Sequence, residues 1–224
     1  MGTTLGGVGV LDKAILVLDA LEVSPCSLAE LVEATRLPRA TAHRLATALE
    51  AHGLVRRDEE GRFTLGTRLV ALGRAAAEAF PLAGAAQRAL RQLRDLTEES
   101  VQLFVPDVDR RVCIAALQSP HGLRTIVPLG ASLPLGLGSG ARVLGGQIGP
   151  EGWTESIGER EAGVASVSAP VLDHGSIIAA VSVSGPIERT TKHPGRRYGE
   201  AVVAAARRIE LDAGLDAGLR AGNP

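Results

Sequence analysis

Apolar residues recur every three to four positions from Val10 to Leu21, where Val10, Ala14, Val17, Leu18 and Leu21 form one stripe. That is the period of an amphipathic helix. Two shorter periodic segments follow, one opening at Ser27-Leu28-Ala29-Glu30-Leu31 and one running from Pro38 to Leu49, with a tight turn between them. On a helix begun by Pro38, residues Ala42, Leu45, Ala46 and Leu49 share a buried face. Turning 100° per residue places Arg44 nearly opposite, with Ala40, Thr47 and Ala51 beside it. Pro38 suits the first helical position, where its missing N–H loses no partner. After Gly53, the arms Leu54–Arg57 and Arg62–Leu65 flank Asp58-Glu59-Glu60-Gly61 and read as a β-hairpin. From Thr67 to Phe80 an Ala- and Leu-rich helix carries Leu69, Val70, Leu72, Ala75, Ala76 and Ala79. This is more apolar surface than a lone helix should expose, so it predicts a partner helix and dimerisation there.

A further helix is expected over Ala85–Thr97, with Leu90, Leu93 and Leu96 inward. The texture then turns β-prone at Ser100–Pro106, Arg111–Leu117, Leu123–Leu129, Val164–Leu172 and Ile177–Gly185. Asp173-His174-Gly175 reads as the turn of a hairpin joining the last two. A closing helix spans about Arg196–Leu215, with Val202, Val203, Ala206 and Ile209 inward. The mixture predicts an α+β second domain. The division expected is 1–66 for the first domain, 67–81 for the linking helix and 82–224 for the second domain.

Two short helices, a tight turn and a hairpin are the layout of a winged helix-turn-helix, whose second helix enters the DNA major groove. Arg39, Thr41, His43, Arg44 and Thr47 are the candidate DNA contacts on that helix. Arg62, with Arg57, is the candidate in the wing. Arg can bond guanine O6 and N7 in bidentate fashion, and Thr can bond a phosphate or touch a thymine methyl. The formal net charge of −1 excludes a globally basic, histone-like binder. The charge is segregated, however. Residues 36–74 carry arginines at 36, 39, 44, 56, 57, 62, 68 and 74 against acids at 50, 58, 59 and 60. Counterion release at the basic stretch favours phosphate contact. The plain alternative is a solvated face with no nucleic-acid role.

The 224 residues suffice for two modest domains with real cores. Aromatics make up only 2%, which excludes a stacking surface for single strands. No apolar run is long enough to span a membrane, no basic-then-apolar leader is expected, and Met1–Gly7 reads as a short tail. Cys26 and Cys113 stand apart without CxxC or His pairing, which fits small buried thiols in a reducing cytoplasm rather than a disulfide or a metal site. Neither metal nor cofactor is expected.

In the second domain, strand alternation puts Ser166 and Ser168 on one face, and Ser182 and Ser184 on another. If the two faces coincide they line a polar cavity. Otherwise these small residues only let a helix pack close. Leu133–Ala141 is a Gly-rich stretch leading to a helix near Ser139, where unpaired N–H groups could hold an anion. Its Gly136-x-Gly138-x-x-Ala141 spacing imitates a dinucleotide fingerprint but lacks a surrounding βαβ unit. No G-x-S-x-G motif is present, and His121, His174 and His193 read as exposed turn residues. Glu159-Arg160-Glu161 reads as a solvated run. No catalytic group emerges, so an enzyme is not expected.

Taken together, the chain resembles the IclR family of bacterial transcription regulators over nearly its whole length. The likeness is strongest at Leu37–Leu45, Gly61–Gly66, Leu133–Leu135, Gly163–Val171 and Val181–Pro186. Ser156–Glu161, Ile187–Arg189 and His193–Arg196 are similar to an actinobacterial subgroup associated with amino-acid, especially leucine, biosynthesis. The resemblance implies an α+β protein: an N-terminal winged helix-turn-helix, a linking helix, and a C-terminal GAF-like α/β effector-binding domain. It implies cytoplasmic homodimers, often paired into tetramers, that bind double-stranded palindromic operator DNA and a small organic acid or amino-acid-related effector. By position, the implied effector contacts are Ser139, Gly140, Ser156, Ser166, Ser182 and Ser184. One departure stands out: between Leu144 and Trp153 only Gly145–Gly152 remains of a longer family segment beside the effector pocket. The rival readings are a constitutive DNA-binding repressor without effector sensing and a small-molecule enzyme.

Overall fold

A computed structural model describes residues 9–78 and 81–216 of the chain. The tail at Met1–Gly7 and the expected end of the linking helix at 79–80 lie outside the described residues. The chain divides into two compact units, residues 1–79 and 80–224.

The first unit contains helices α1 (Gly9–Val23), α2 (Leu28–Thr35) and α3 (Arg39–Ala51), then the antiparallel strands β1 (Val55–Arg57) and β2 (Phe63–Leu65), and α4 (Arg68–Glu78). Ser27 caps α2 by accepting a hydrogen bond from the Glu30 N–H, and Glu30 accepts one from the Ser27 N–H. This reciprocal pair fixes where α2 begins. Arg36 ends α2 in the left-handed region at φ 55°, which makes the turn to α3 tight. Pro38 is the residue that caps α3 rather than its first helical residue. Val17, Leu21, Leu31, Ala42, Ala46, Leu49, Val55 and Phe63 form the core, with Ala14, Leu18 and Leu45 against it. Val10, at 61% exposure, does not join this core, and Leu11 and Ile15 are exposed with it. Cys26 exchanges backbone hydrogen bonds with Phe63 at 2.9 and 2.8 Å, which ties the wing to the helices.

The second unit holds α5 (Pro81–Thr97), β3 (Ser100–Asp107), β4 (Arg110–Leu117), β5 (Ser132–Pro134), α6 (Ser139–Leu144), β6 (Thr154–Ile157), β7 (Val164–Asp173), β8 (Ser176–Pro186), α7 (Ile187–Thr190) and α8 (Pro194–Asp212). Six strands form one sheet in the order β5-β4-β3-β8-β7-β6, with every pairing antiparallel. Among the described residues no parallel βαβ unit surrounds the Gly-rich stretch. The β7–β8 hairpin turns through His174 and Gly175, both at positive φ. Leu123–Leu129 forms no strand; β5 and β6 were not foreseen, being short.

The sheet faces are chemically distinct. Val101, Leu103, Val167, Ala169, Val171, Val181 and Val183 pack against Ala86, Ala89, Leu90 and Leu93 of α5 and against Val202, Ala206 and Ile209 of α8. Leu96 points away at 73% exposure. The buried stripe of α5 runs 86–89/90–93–97, and Thr97 takes the place expected for Leu96, its hydroxyl donating to Leu93 O. On the opposite face lie α6 and the serines.

Candidate functional sites: a recognition helix and a serine-lined cavity

In the first unit, Arg39, His43, Arg44 and Thr47 are exposed on α3 and Thr41 is half-buried. Packing of Ala42, Ala46 and Leu49 against α1 and α2 turns this polar face outward. Among the described residues, neither Arg39 nor Arg44 has an acidic partner. Arg62 differs: it donates to Asp58 at 2.9 Å and lies 2.7 Å from Glu60, within the turn of the wing. Desolvation is the largest single influence on the Asp58 carboxylate and raises its pKa, but the hydrogen bonds and charge of Arg62, with the Glu60 N–H, together hold it below its usual range. Arg57 stacks over the Phe63 ring at 4.2 Å and lies 3.3 Å from Glu50.

In the second unit, cross-strand register decides the serines. Ser166 pairs with Ser184, Ser168 with Ser182, and Gln102 with Ser182 on the other side. The serine faces therefore coincide. Ser139, at the start of α6, lies 2.7 Å from both Ser166 and Ser168 through its Oγ, and Ser168 Oγ lies 2.5 Å from Ser182 Oγ. Ser184 donates to Gln102 Oε1 at 3.1 Å. Gly140 stands over this row, where an added Cβ would be 3.2 Å from Ser182 Oγ and 3.4 Å from Phe104. All six positions implied by resemblance (Ser139, Gly140, Ser156, Ser166, Ser182 and Ser184) line one cavity of about 30 Å³.

Among the walls that sequence reasoning missed are Gln102, Phe104 and Arg111. The face on which Arg111 lies is set by a β-bulge. Leu103 pairs with Ala115, but Phe104 pairs with Cys113, so Ile114 is the extra residue. The bulge reverses the facing of β4 below it. Ala115 packs on the helix side, whereas Cys113 and Phe104 belong to the cavity side. Burial pushes the Cys113 thiol up to about 11, so it stays protonated and inert. Glu159-Arg160-Glu161 is also more than a solvated run. Arg160 and Glu161 line the cavity, while Glu159 accepts from the Gly138 N–H and pairs with Arg142.

The segment after α6 ends in Trp153, which packs onto Gly195 and Gly199 of α8. Strand β6 follows and delivers Ser156 to the cavity. Both cysteines are buried and unpaired. Among the described residues no group of His, Cys, Asp and Glu could hold a metal ion, and no single helix is long and apolar enough to cross a membrane.

A winged helix-turn-helix joined to an antiparallel α/β domain defines a class of DNA-binding regulators. The comparisons carry this to a family. The IclR helix-turn-helix domain matches residues 10–59, and the bacterial transcriptional regulator IclR C-terminal domain matches residues 146–211. The transcriptional repressor IclR of Escherichia coli K12 is 25% identical over 247 aligned positions, covering 92% of this chain and 90% of that protein. The crystal structure of Thermotoga maritima IclR superposes with a TM-score of 0.73 at 21% identity, covering 92% of this chain and 99% of that one. An IclR homologue from Microbacterium hydrocarbonoxydans, solved in complex with 4-hydroxybenzoate, gives 0.74 at 20% identity and the same coverages. The chain belongs to the IclR family: it is a DNA-binding transcriptional regulator, not an enzyme.

Proposed function

We propose that the chain is a homodimeric operator-binding regulator whose second unit senses a small organic acid or amino-acid-related metabolite. The observation that carries this is the pairing of an outward polar face on α3 with a buried serine cavity. Arg39, Thr41, His43, Arg44 and Thr47 read or grip the major groove, and Arg62 of the wing reaches the flanking backbone. The Arg62 pairs with Asp58 and Glu60 are screened by solvent, so a phosphate can replace them. A second copy covers the apolar residues Val70 and Leu72 of α4 and Val10, Leu11 and Ile15 of α1, all exposed within the first unit. The effector acts by favouring one dimer or tetramer arrangement, which alters the spacing of the recognition helices. Operator DNA as the partner places the protein in the cytoplasm.

The 4-hydroxybenzoate in the Microbacterium relative supports an organic acid as the effector class. Leucine and its 2-oxo acid are the first candidates, because Ser156–Glu161 and His193–Arg196 resemble a leucine-linked subgroup. The second reading, a constitutive repressor, is favoured by the small cavity: about 30 Å³ holds roughly one or two waters. A fluorescence-anisotropy titration with upstream intergenic DNA at two salt concentrations, with and without these ligands, separates the two. Specific binding shifted by one ligand supports sensing, and specific binding indifferent to all supports the constitutive reading. Arg44→Ala is expected to weaken operator binding by about 1–3 kcal/mol and to leave random-DNA binding nearly unchanged. Unchanged operator affinity would place the reading face elsewhere.

A further inference from the structure

The cavity contains a charge that the fold does not neutralise. Arg111 is 3% exposed, and its Nε is buried with no hydrogen-bond partner. Among the described residues its one side-chain hydrogen bond is from Nη1 to the Pro134 carbonyl, and its guanidinium lies over the Phe104 ring at 5.3 Å. Among the described residues no carboxylate pairs with it. Burial first, and then the charge of Arg160, push its pKa down to about 10. It remains charged at neutral pH.

A buried cation without a counter-charge costs stability, and proteins that keep one generally use it. Phe104 links the guanidinium to the serines, since its ring lies under Arg111 and its edge meets Gly140 beside Ser182. Arg111, the Phe104 ring and the row of hydroxyls thus face one cavity, which Arg160 and Glu161 also line. Its volume, about 30 Å³, holds roughly one or two waters, so only an acid of very few atoms fits, and its entry has to open the walls.

We propose that Arg111 is the charge anchor of the effector site: it takes the carboxylate of a small monocarboxylic acid whose oxygen substituent meets the Ser139–Ser166–Ser168–Ser182 row. The inference rests on the reading of this cavity as the effector site. A planar guanidinium matches a carboxylate in a way that neutral donors do not, and charge-assisted bonds are about twice as strong. Specificity then follows from charge: an acid binds and its amide does not.

The test is calorimetric titration of the full chain with acetate, lactate and pyruvate against acetamide, lactamide and pyruvamide, on wild type, Arg111→Met and Ser182→Ala. The expected result is that an acid binds wild type and its amide does not. Arg111→Met should weaken the acid by about 10- to 100-fold, with a melting temperature equal to or above wild type. Ser182→Ala should weaken lactate more than acetate. Arg111→Lys, which keeps the charge without the planar fork, should fall between wild type and Met, and serves if the Met variant does not fold. Equal binding of acid and amide, or full acid affinity in Arg111→Met alongside a loss in Ser182→Ala, would overturn the anchor while leaving the cavity as the site. No acid binding at 20 mM, or binding indifferent to both substitutions, would overturn the anchor; the effector reading itself falls only if leucine and its 2-oxo acid also leave operator binding unchanged.

Discussion

Replacing Arg189 by methionine is expected to lower the unfolding free energy by about 3–5 kcal/mol, measured by urea denaturation at neutral pH. Arg189 of α7 donates through Nε to Glu99 Oε1 at 2.7 Å and through Nη2 to Oε2 at 2.9 Å. Glu99 lies in the link between α5 and β3 and is 1% exposed. Those hydrogen bonds raise the pKa of Arg189. Removal of the arginine strands a carboxylate out of reach of water, and that stranded charge is the source of the loss rather than the pair's net worth. Adding Glu99→Gln to the variant should therefore recover much of the stability, because a neutral amide does not carry the same desolvation penalty. If Arg189→Met costs less than 1 kcal/mol, the pair does not hold α7 to the sheet.

The second large effect is expected at Gly195. Gly195 and Gly199 are one helical turn apart on α8, and the indole of Trp153 lies in the groove they leave. A Cβ at Gly195 would stand 2.6 Å from Trp153 Cε3, and one at Gly199 would stand 2.7 Å from Cδ1. Gly195→Ala should cost about 1–3 kcal/mol by overpacking. The same substitution in a Trp153→Ala background should cost almost nothing, since the clash has one partner. The effect reaches the cavity, because β6 begins directly after Trp153 and carries Ser156. Gly195 also donates its N–H to Glu155 Oε2 of β6 at 2.8 Å. Effector affinity should fall with stability in Gly195→Ala. Equal cost in both backgrounds would show that Trp153 is not what the glycine accommodates.

Trp153 ties the link between α6 and β6 to α8. The indole fills the space over α8 and anchors the strand. Nothing local in Gly149–Trp153 announces this, because the matching glycines lie more than forty residues further along the chain. Leu96 and Val10 show the same limit on a smaller scale. Each continues an apolar period, yet each ends exposed: Leu96 lies off the stripe that α5 buries through Thr97, and Val10 lies outside the core that α1 joins through Val17 and Leu21.

The sequence by itself determined the elements whose signals are local. The period of α3 alone sets Ala42, Ala46 and Leu49 against Arg44 and Thr47, and the turn residues of the wing and of Asp173–Gly175 fix their hairpins. It also determined that two serine pairs would each lie on one strand face, since the β period is two. Only the tertiary structure decided that these faces meet, because register between β7 and β8 is set by pairing over the whole hairpin. It alone put Arg111 among them. The run Arg111-Val112-Cys113-Ile114-Ala115 shows no polar–apolar alternation, and the bulge at Ile114 reverses its facing. A strand reports the spacing of its side chains, but the neighbour against which it folds determines what those side chains confront.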